Sequence, residues 1–135
     1  MSKLAILCVD DETIILNSLR RQLKQAFSDS YVYESAESAD EAFEIIQELE
    51  EDGNNVIVIV SDWLMPGMKG DEFLSKVHQD YPWVVKILLT GQADEEAISR
   101  AQSMANLHQH LAKPWKSDEL ISCIRSGLED IAKHP

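Results

Sequence analysis

Ile57-Val58-Ile59-Val60-Ser61-Asp62-Trp63-Leu64-Met65-Pro66-Gly67-Met68-Lys69-Gly70 is the stretch that decides how this chain folds. A run of β-branched residues ends in a single aspartate, and the residues after it hold Pro66, Gly67 and Gly70, which do not extend a strand. Continuous apolar strands belong to parallel sheets covered on both faces. Ligands of such open sheets gather outside the carboxyl ends of the strands, so Asp62 stands where a reactive group is expected. An isolated aspartate four residues before a proline reads as a turn former. The rest of the chain changes that reading.

Working outward toward the N-terminus, Leu4-Ala5-Ile6-Leu7-Cys8-Val9 is a second apolar run of strand length, and it stops at Asp10-Asp11-Glu12. From Thr13 to Phe27 the positions Ile15, Leu16, Leu19, Leu23 and Phe27 recur at helical spacing, with Arg20, Arg21, Lys24 and Gln25 on the other side. Tyr31-Val32-Tyr33 reads as a strand. Ser38 is placed to cap a helix that carries Ala39, Ala42, Phe43, Ile46 and Leu49 inward, with Glu41, Glu44, Glu48, Glu50 and Glu51 as its solvated face. Asp52-Gly53-Asn54-Asn55 breaks that helix and hands over to the central strand.

Toward the C-terminus, a helix with Phe73, Leu74 and Val77 inward ends at Tyr81-Pro82. Residues 84–89 form a fourth strand that finishes at Thr90-Gly91. Asp94 or Glu95 opens a helix through Ala97, Ile98, Ala101 and Met104, which closes at Ala105-Asn106. Residues 108–112 are a short fifth strand that ends at Lys113-Pro114. Ser117 is placed to cap the last helix, whose inward stripe is Leu120, Ile121, Ile124, Leu128 and Ile131. Five strand and helix units in strict alternation with short connections imply right-handed crossovers, hence an α/β fold with a parallel sheet between two helical layers.

Composition narrows the partners. Against 12 basic residues stand 24 acidic ones, a formal charge of -12 at pH 7, which opposes direct binding to nucleic acid. Cys8 lies in an apolar strand and Cys123 in an amphipathic helix, so neither a disulfide nor a zinc site is expected. Met1-Ser2-Lys3 leads straight into the first strand without a signal sequence, and no apolar run approaches the ~18 residues of a membrane span. The expectation is one domain over residues 1–135, cytoplasmic, with no output domain and no membrane contact. It is either a stand-alone protein or a unit cut from a longer chain near Pro135.

The chemistry sits at the strand ends. Asp10 and Asp11, Asp62, Thr90 and Lys113 should converge on one rim, bringing three carboxylates, a hydroxyl and an ammonium together. Carboxylates within ~5 Å of one another repel by several kcal/mol, so the cluster calls for a cation. A hard divalent ion with oxygen ligands fits, magnesium first, because it uses few carboxylates and completes its shell with water and a phosphate. A carboxylate beside such an ion can accept a phosphoryl group, with Lys113 and Thr90 as donors to its oxygens.

The ordered set Asp10-Asp11, Asp62-Trp63-Leu64-Met65-Pro66-Gly67-Met68-Lys69-Gly70, Thr90 and Lys113-Pro114 resembles the receiver domains of two-component response regulators, from about Lys3 to the last helix. The resemblance implies a flavodoxin-like, doubly wound (βα)5 fold with strand order 2-1-3-4-5. It implies that Asp62 accepts phosphate from a histidine kinase or histidine phosphotransfer protein in a magnesium-dependent reaction, with manganese as a substitute. Asp11, Asp62 and the backbone carbonyl of Leu64 would hold the metal, and Asp10 would act through a bound water. Thr90 and Lys113 would contact the phosphoryl oxygens, and Lys113-Pro114 would be a cis peptide.

By the same resemblance Thr90 moves inward on phosphorylation, followed by an aromatic residue three places before the lysine. That place holds His110, an imidazole whose protonation would make such a switch depend on pH. Lys69 stands where the family often has an acid, and it should act on surface charge. Leu64 cannot orient a hydrolytic water, whereas Gln92 could, so dephosphorylation should be uncatalysed or only mildly assisted and the chain a signalling phosphoacceptor, not an enzyme. Lys113-Pro114-Trp115 resembles receivers attached to cyclic-dinucleotide enzymes or kinases, while Trp115 also reads as an apolar anchor. The signal would pass to an effector protein or to a missing output domain.

Two rival readings each fail at a particular position. A phosphatase of the haloacid-dehalogenase type also forms an aspartyl phosphate, but it needs a second aspartate where this chain has Leu64. A flavin-binding module would need a hydroxyl-rich or glycine-rich phosphate cradle after the first strand, where this chain has Asp10-Asp11-Glu12.

Overall fold

The computed structural model describes residues 3–91 and 95–133. Its strands are β1 (Leu4–Val9), β2 (Val32–Ala36), β3 (Asn55–Asp62), β4 (Val85–Thr90) and β5 (Gln109–Ala112). The helices between and after them are α1 (Thr13–Phe27), α2 (Ala39–Glu51), α3 (Gly70–Asp80), α4 (Glu95–Met104) and α5 (Ser117–Lys133), with one 3-10 turn at Ser28–Ser30. All strand pairs are parallel, in the order β2-β1-β3-β4-β5. Both the class and the strand order agree with the expectation.

Alternation along the strands explains the two helical layers. Ala5, Leu7 and Val9 of β1, with Ile59 and Leu88, pack against α2, α3 and α4 through Ile46, Phe73, Leu74 and Ala101. Ile6 and Cys8, with Val58, Val60, Ile87 and Leu89, face α1 and α5 through Leu19, Leu23, Leu120 and Ile124. β3 is paired on both edges, with β1 and β4, and has a helical layer on each face, so its residues from Val58 to Asp62 are buried. That is why its sequence is apolar without alternation. It also fixes Asp62 as the last residue of the central strand.

Several boundaries differ from the sequence reading. β2 continues past Tyr33 to Ala36, because the polar residues Glu34 and Ser35 keep their backbone groups paired opposite Leu7 and Cys8. Ser38 does cap α2, its hydroxyl accepting from the Glu41 N–H at 3.1 Å. Ser117 does not cap α5. It is the first residue of that helix, and the Glu119 carboxylate reaches back to accept the Lys116 N–H at 3.2 Å. Asn106, with φ of 50°, turns the chain out of α4. Asp94 and Gln92 lie outside the described residues.

β5 is an edge strand in which only Leu111 is buried. Cys8 and Cys123 are both free and buried. Burial pushes their thiols up, to about 12 for Cys8, where the Asp10 charge adds to the effect, and to about 11 for Cys123. No described helix is long and apolar enough to cross a membrane.

Candidate functional site

The carboxyl ends of β1, β3 and β5 deliver the charged groups. Asp10 directly follows β1 and is fully buried. Its N–H donates to the Ala36 carbonyl at 3.1 Å, while its Oδ1 accepts the Glu12 N–H at 2.8 Å. Asp11 is exposed beside it, and Asp62 is 5% exposed. One ligand oxygen from each of Asp10, Asp11 and Asp62 lies within 4.8 Å of the other two.

Lys113 joins this cluster from the end of β5. Its Nζ stands 2.9 Å from Asp10 Oδ2 and 3.0 Å from Asp62 Oδ1. The peptide bond between Lys113 and Pro114 is cis. The Lys113 N–H donates to the Thr90 carbonyl at 2.7 Å, which ties the ends of β4 and β5 together. Thr90 is buried as the last residue of β4.

Electrostatics follows from this packing. Burial holds the Asp62 carboxyl above its ordinary range, opposed by the hydrogen bond from Lys113 and helped by the negative charge of Asp10. For Lys113 burial alone acts downward, but hydrogen bonds to Asp10 and Asp62 carry its ammonium above the ordinary value. The lysine therefore stays charged and partly neutralises the acids. An all-oxygen cluster with one exposed carboxylate, open to solvent at Asp11, suits a hard divalent cation that keeps part of its water shell.

The loop after Asp62 is held by contacts that the sequence reading did not find. The Trp63 N–H donates to the Leu89 carbonyl at 2.9 Å, and its carbonyl accepts the Gly70 N–H at 2.8 Å. Gly70 lies so close to the Asp62 carbonyl that a β-carbon would overlap that oxygen, so glycine is required there for close approach. Gly67 has φ of +80° and serves the turn itself. The Trp63 indole N–H donates to Asp71 Oδ1 at 3.0 Å, and Arg100 Nε donates to Asp71 Oδ2 at 2.9 Å. Lys69, read as a surface charge, is exposed but sits over the Trp63 ring at 5.0 Å.

Three further candidates lie on β5 and on the loops around the site. His110 is exposed on β5, opposite Leu88 in register. Leu64 is 62% exposed on the loop after the phosphoacceptor candidate. The Trp115 indole donates to Gln22 Oε1 at 2.8 Å and packs against the layer of α1 and α5, in line with an anchoring role. Nothing in the sequence near Asp71 or Arg100 marks them as partners, although an aspartate buried at the start of an amphipathic helix is the signal that could have raised the question.

Comparison with known proteins bears on the same cluster. A family profile described as "Response regulator receiver domain" matches residues 6–125. The hydrogenase transcriptional regulatory protein HoxA of Cupriavidus necator is 37% identical over 124 residues, covering 92% of this chain and 24% of the relative. The chain thus spans about a quarter of the length of that relative. A CheY-like response regulator receiver domain from Methanospirillum hungatei superposes with a TM-score of 0.84 at 30% identity, over 99% of this chain and all of the other. The signal receiver domain of an HD domain-containing protein from Pseudomonas fluorescens gives a TM-score of 0.84 at 29% identity, over 98% of this chain and 92% of that one.

Proposed function

The chain belongs to the response regulator receiver family of two-component signalling, and from that premise we propose that Asp62 is its phosphoacceptor. The observation that carries this reading is the position of the Lys113 ammonium, in contact with both Asp10 and Asp62 beside a cluster of three carboxylates. A carboxylate oxygen of Asp62 attacks the phosphorus of a phosphohistidine on a histidine kinase or phosphotransfer protein. The P–N bond breaks, the imidazole leaves with the electron pair, and the phosphoryl group becomes an acyl phosphate on Asp62.

Asp11, Asp62 and the Leu64 carbonyl would hold magnesium, or manganese in its place, with Asp10 acting through a water. Asp10 is suited to that indirect role because its two oxygens already accept from Glu12 and Lys113. A bound divalent ion supplies neutralising charge to the transferring phosphoryl oxygens. Lys113 donates to those oxygens, and the Thr90 hydroxyl at the end of β4 turns toward them. The signal then leaves through α4, β5 and α5, where exposed His110 lies, to an effector protein or an output unit. Catalysis is limited to self-phosphorylation and slow loss of phosphate, since Leu64 offers no general acid or base for turning over phosphoesters.

Incubation with magnesium and acetyl phosphate, read by intact mass, tests the assignment. One phosphoryl adduct is expected on the native chain and none on Asp62→Asn. An adduct at full yield in Asp62→Asn would overturn it.

A further inference from the structure

We propose that Asp71 is a positioning residue that couples helix α4 to the loop carrying the metal-binding end of the site. The signalling consequence rests on the phosphoacceptor reading of Asp62, while the coupling itself does not. Asp71 belongs to the first turn of α3 and is 5% exposed, an unusual burial for a carboxylate. It remains there because both oxygens are engaged. One accepts the indole N–H of Trp63, the residue bonded to Asp62, at 3.0 Å. The other accepts Arg100 Nε from α4 at 2.9 Å.

The two donors come from different parts of the molecule. Trp63 is fixed at the tip of β3 by backbone hydrogen bonds to Leu89 and Gly70, and its ring carries the Lys69 ammonium on its face. Any displacement of the indole is therefore shared with the backbone between Asp62 and Gly70, which contains Leu64. Arg100 rides on α4, the helix that follows β4 and Thr90. Asp71 cannot keep both bonds if α4 shifts relative to the loop. A charge-assisted bond to a buried carboxylate makes that choice energetically distinct.

Reciprocity follows. If binding at Asp11 and Asp62 favours the loop position seen in this structure, it favours the α4 position that keeps Arg100 on Asp71, and the position of α4 feeds back on binding by the same factor. The Arg100 side chain is 56% exposed, so the pair acts as a bias on α4 and not as a rigid joint.

The test uses the full chain with Trp83→Phe and Trp115→Phe, so that Trp63 alone reports fluorescence. Arg100→Gln and Asp71→Asn break the charged contact, and Arg100→Lys keeps a cation. Without metal or phosphodonor, hydrogen exchange over residues 63–70 and 95–104 should both rise about fivefold in Arg100→Gln, and Arg100→Lys should recover part of the protection. A purely structural role in α4 would loosen residues 95–104 only. Magnesium titrated against Trp63 fluorescence should bind about fivefold more weakly in Arg100→Gln.

Unchanged exchange over residues 63–70 in Arg100→Gln would overturn the coupling, as would an unchanged magnesium affinity. Failure of the native chain to take a phosphoryl group from acetyl phosphate would count against the Asp62 reading alone, because the exchange measurement decides the coupling without it.

Discussion

Gly70, the first residue of α3, stands against the backbone carbonyl of Asp62, the last residue of β3, with no room for a β-carbon between them. The start of α3 and the end of β3 are thereby packed as one unit. Gly70→Ala should force the Asp62 and Trp63 backbone outward, lowering stability by about 1–3 kcal/mol as overpacking does. Urea denaturation would measure this, and magnesium affinity should fall with it. A variant with native stability and native affinity would show that the contact relaxes freely.

Lys113 stands between two acids, so its removal exposes their repulsion. Lys113→Met should lower the stability of the metal-free protein by several kcal/mol, because it leaves fully buried Asp10 without its cation. Magnesium should then stabilise the variant more than the native chain, since the ion replaces the missing positive charge. Thermal melts across a magnesium series would read the difference. Equal shifts in the two proteins would show that Lys113 does not hold the acids together.

Lys86 presents a different electrostatic case. It is 1% exposed as the second residue of β4, with Nζ donating to the Val84 carbonyl at 2.8 Å. Burial pulls its ammonium down from the ordinary 10.5 to about 8. Below about pH 8 both folded and unfolded chains hold the proton, and the cost of the buried charge is fully present. Between about 8 and 10.5 the unfolded chain binds more protons, so this residue's contribution improves as pH rises. Lys86→Met should be more stable at pH 7 by on the order of 2 kcal/mol, after the lost hydrogen bond is set against it. That advantage should shrink across the window, measured by denaturation at each pH. A constant difference would refute the buried-charge account.

Leu64 bears on the lifetime of the phosphorylated form. Its exposed side chain offers no hydrogen bond to a water approaching Asp62. Leu64→Asn should shorten the acyl-phosphate half-life severalfold, as expected when a polar group can orient the attacking water. Decay of the labelled phosphoprotein is the measurement, and no change in rate would count against the idea.

The sequence made the strand ends legible because each apolar run stops at a polar residue, and a parallel sheet leaves such residues on one rim. Asp10, Asp62, Thr90 and Lys113 were all readable on that ground. The Asp71 carboxylate and the Arg100 guanidinium were not, since they meet across two helices 29 residues apart and neither interrupts a pattern. Lys86 does interrupt one, as a lone charge inside Val84-Val85-Lys86-Ile87-Leu88-Leu89, but a strand so apolar reads as core regardless of it. Ser117 and Ser38 look alike in sequence as helix caps. They differ in structure because Glu119 meets the backbone at the start of α5. Gly70 reads as a turn glycine until the approach of the Asp62 carbonyl is seen.

The two groups closest to Asp62 in charge, Asp10 and Lys113, are separated by 103 residues and meet only through β1, β3, β4 and β5 laid side by side. No fragment of the chain that lacks the last strand can assemble the constellation. A copy without β5 therefore holds Asp62 without the Lys113 ammonium, and on the reading proposed above it would lack that grip on an arriving phosphoryl group. On that reading, completion of the sheet is itself a condition for receiving the signal.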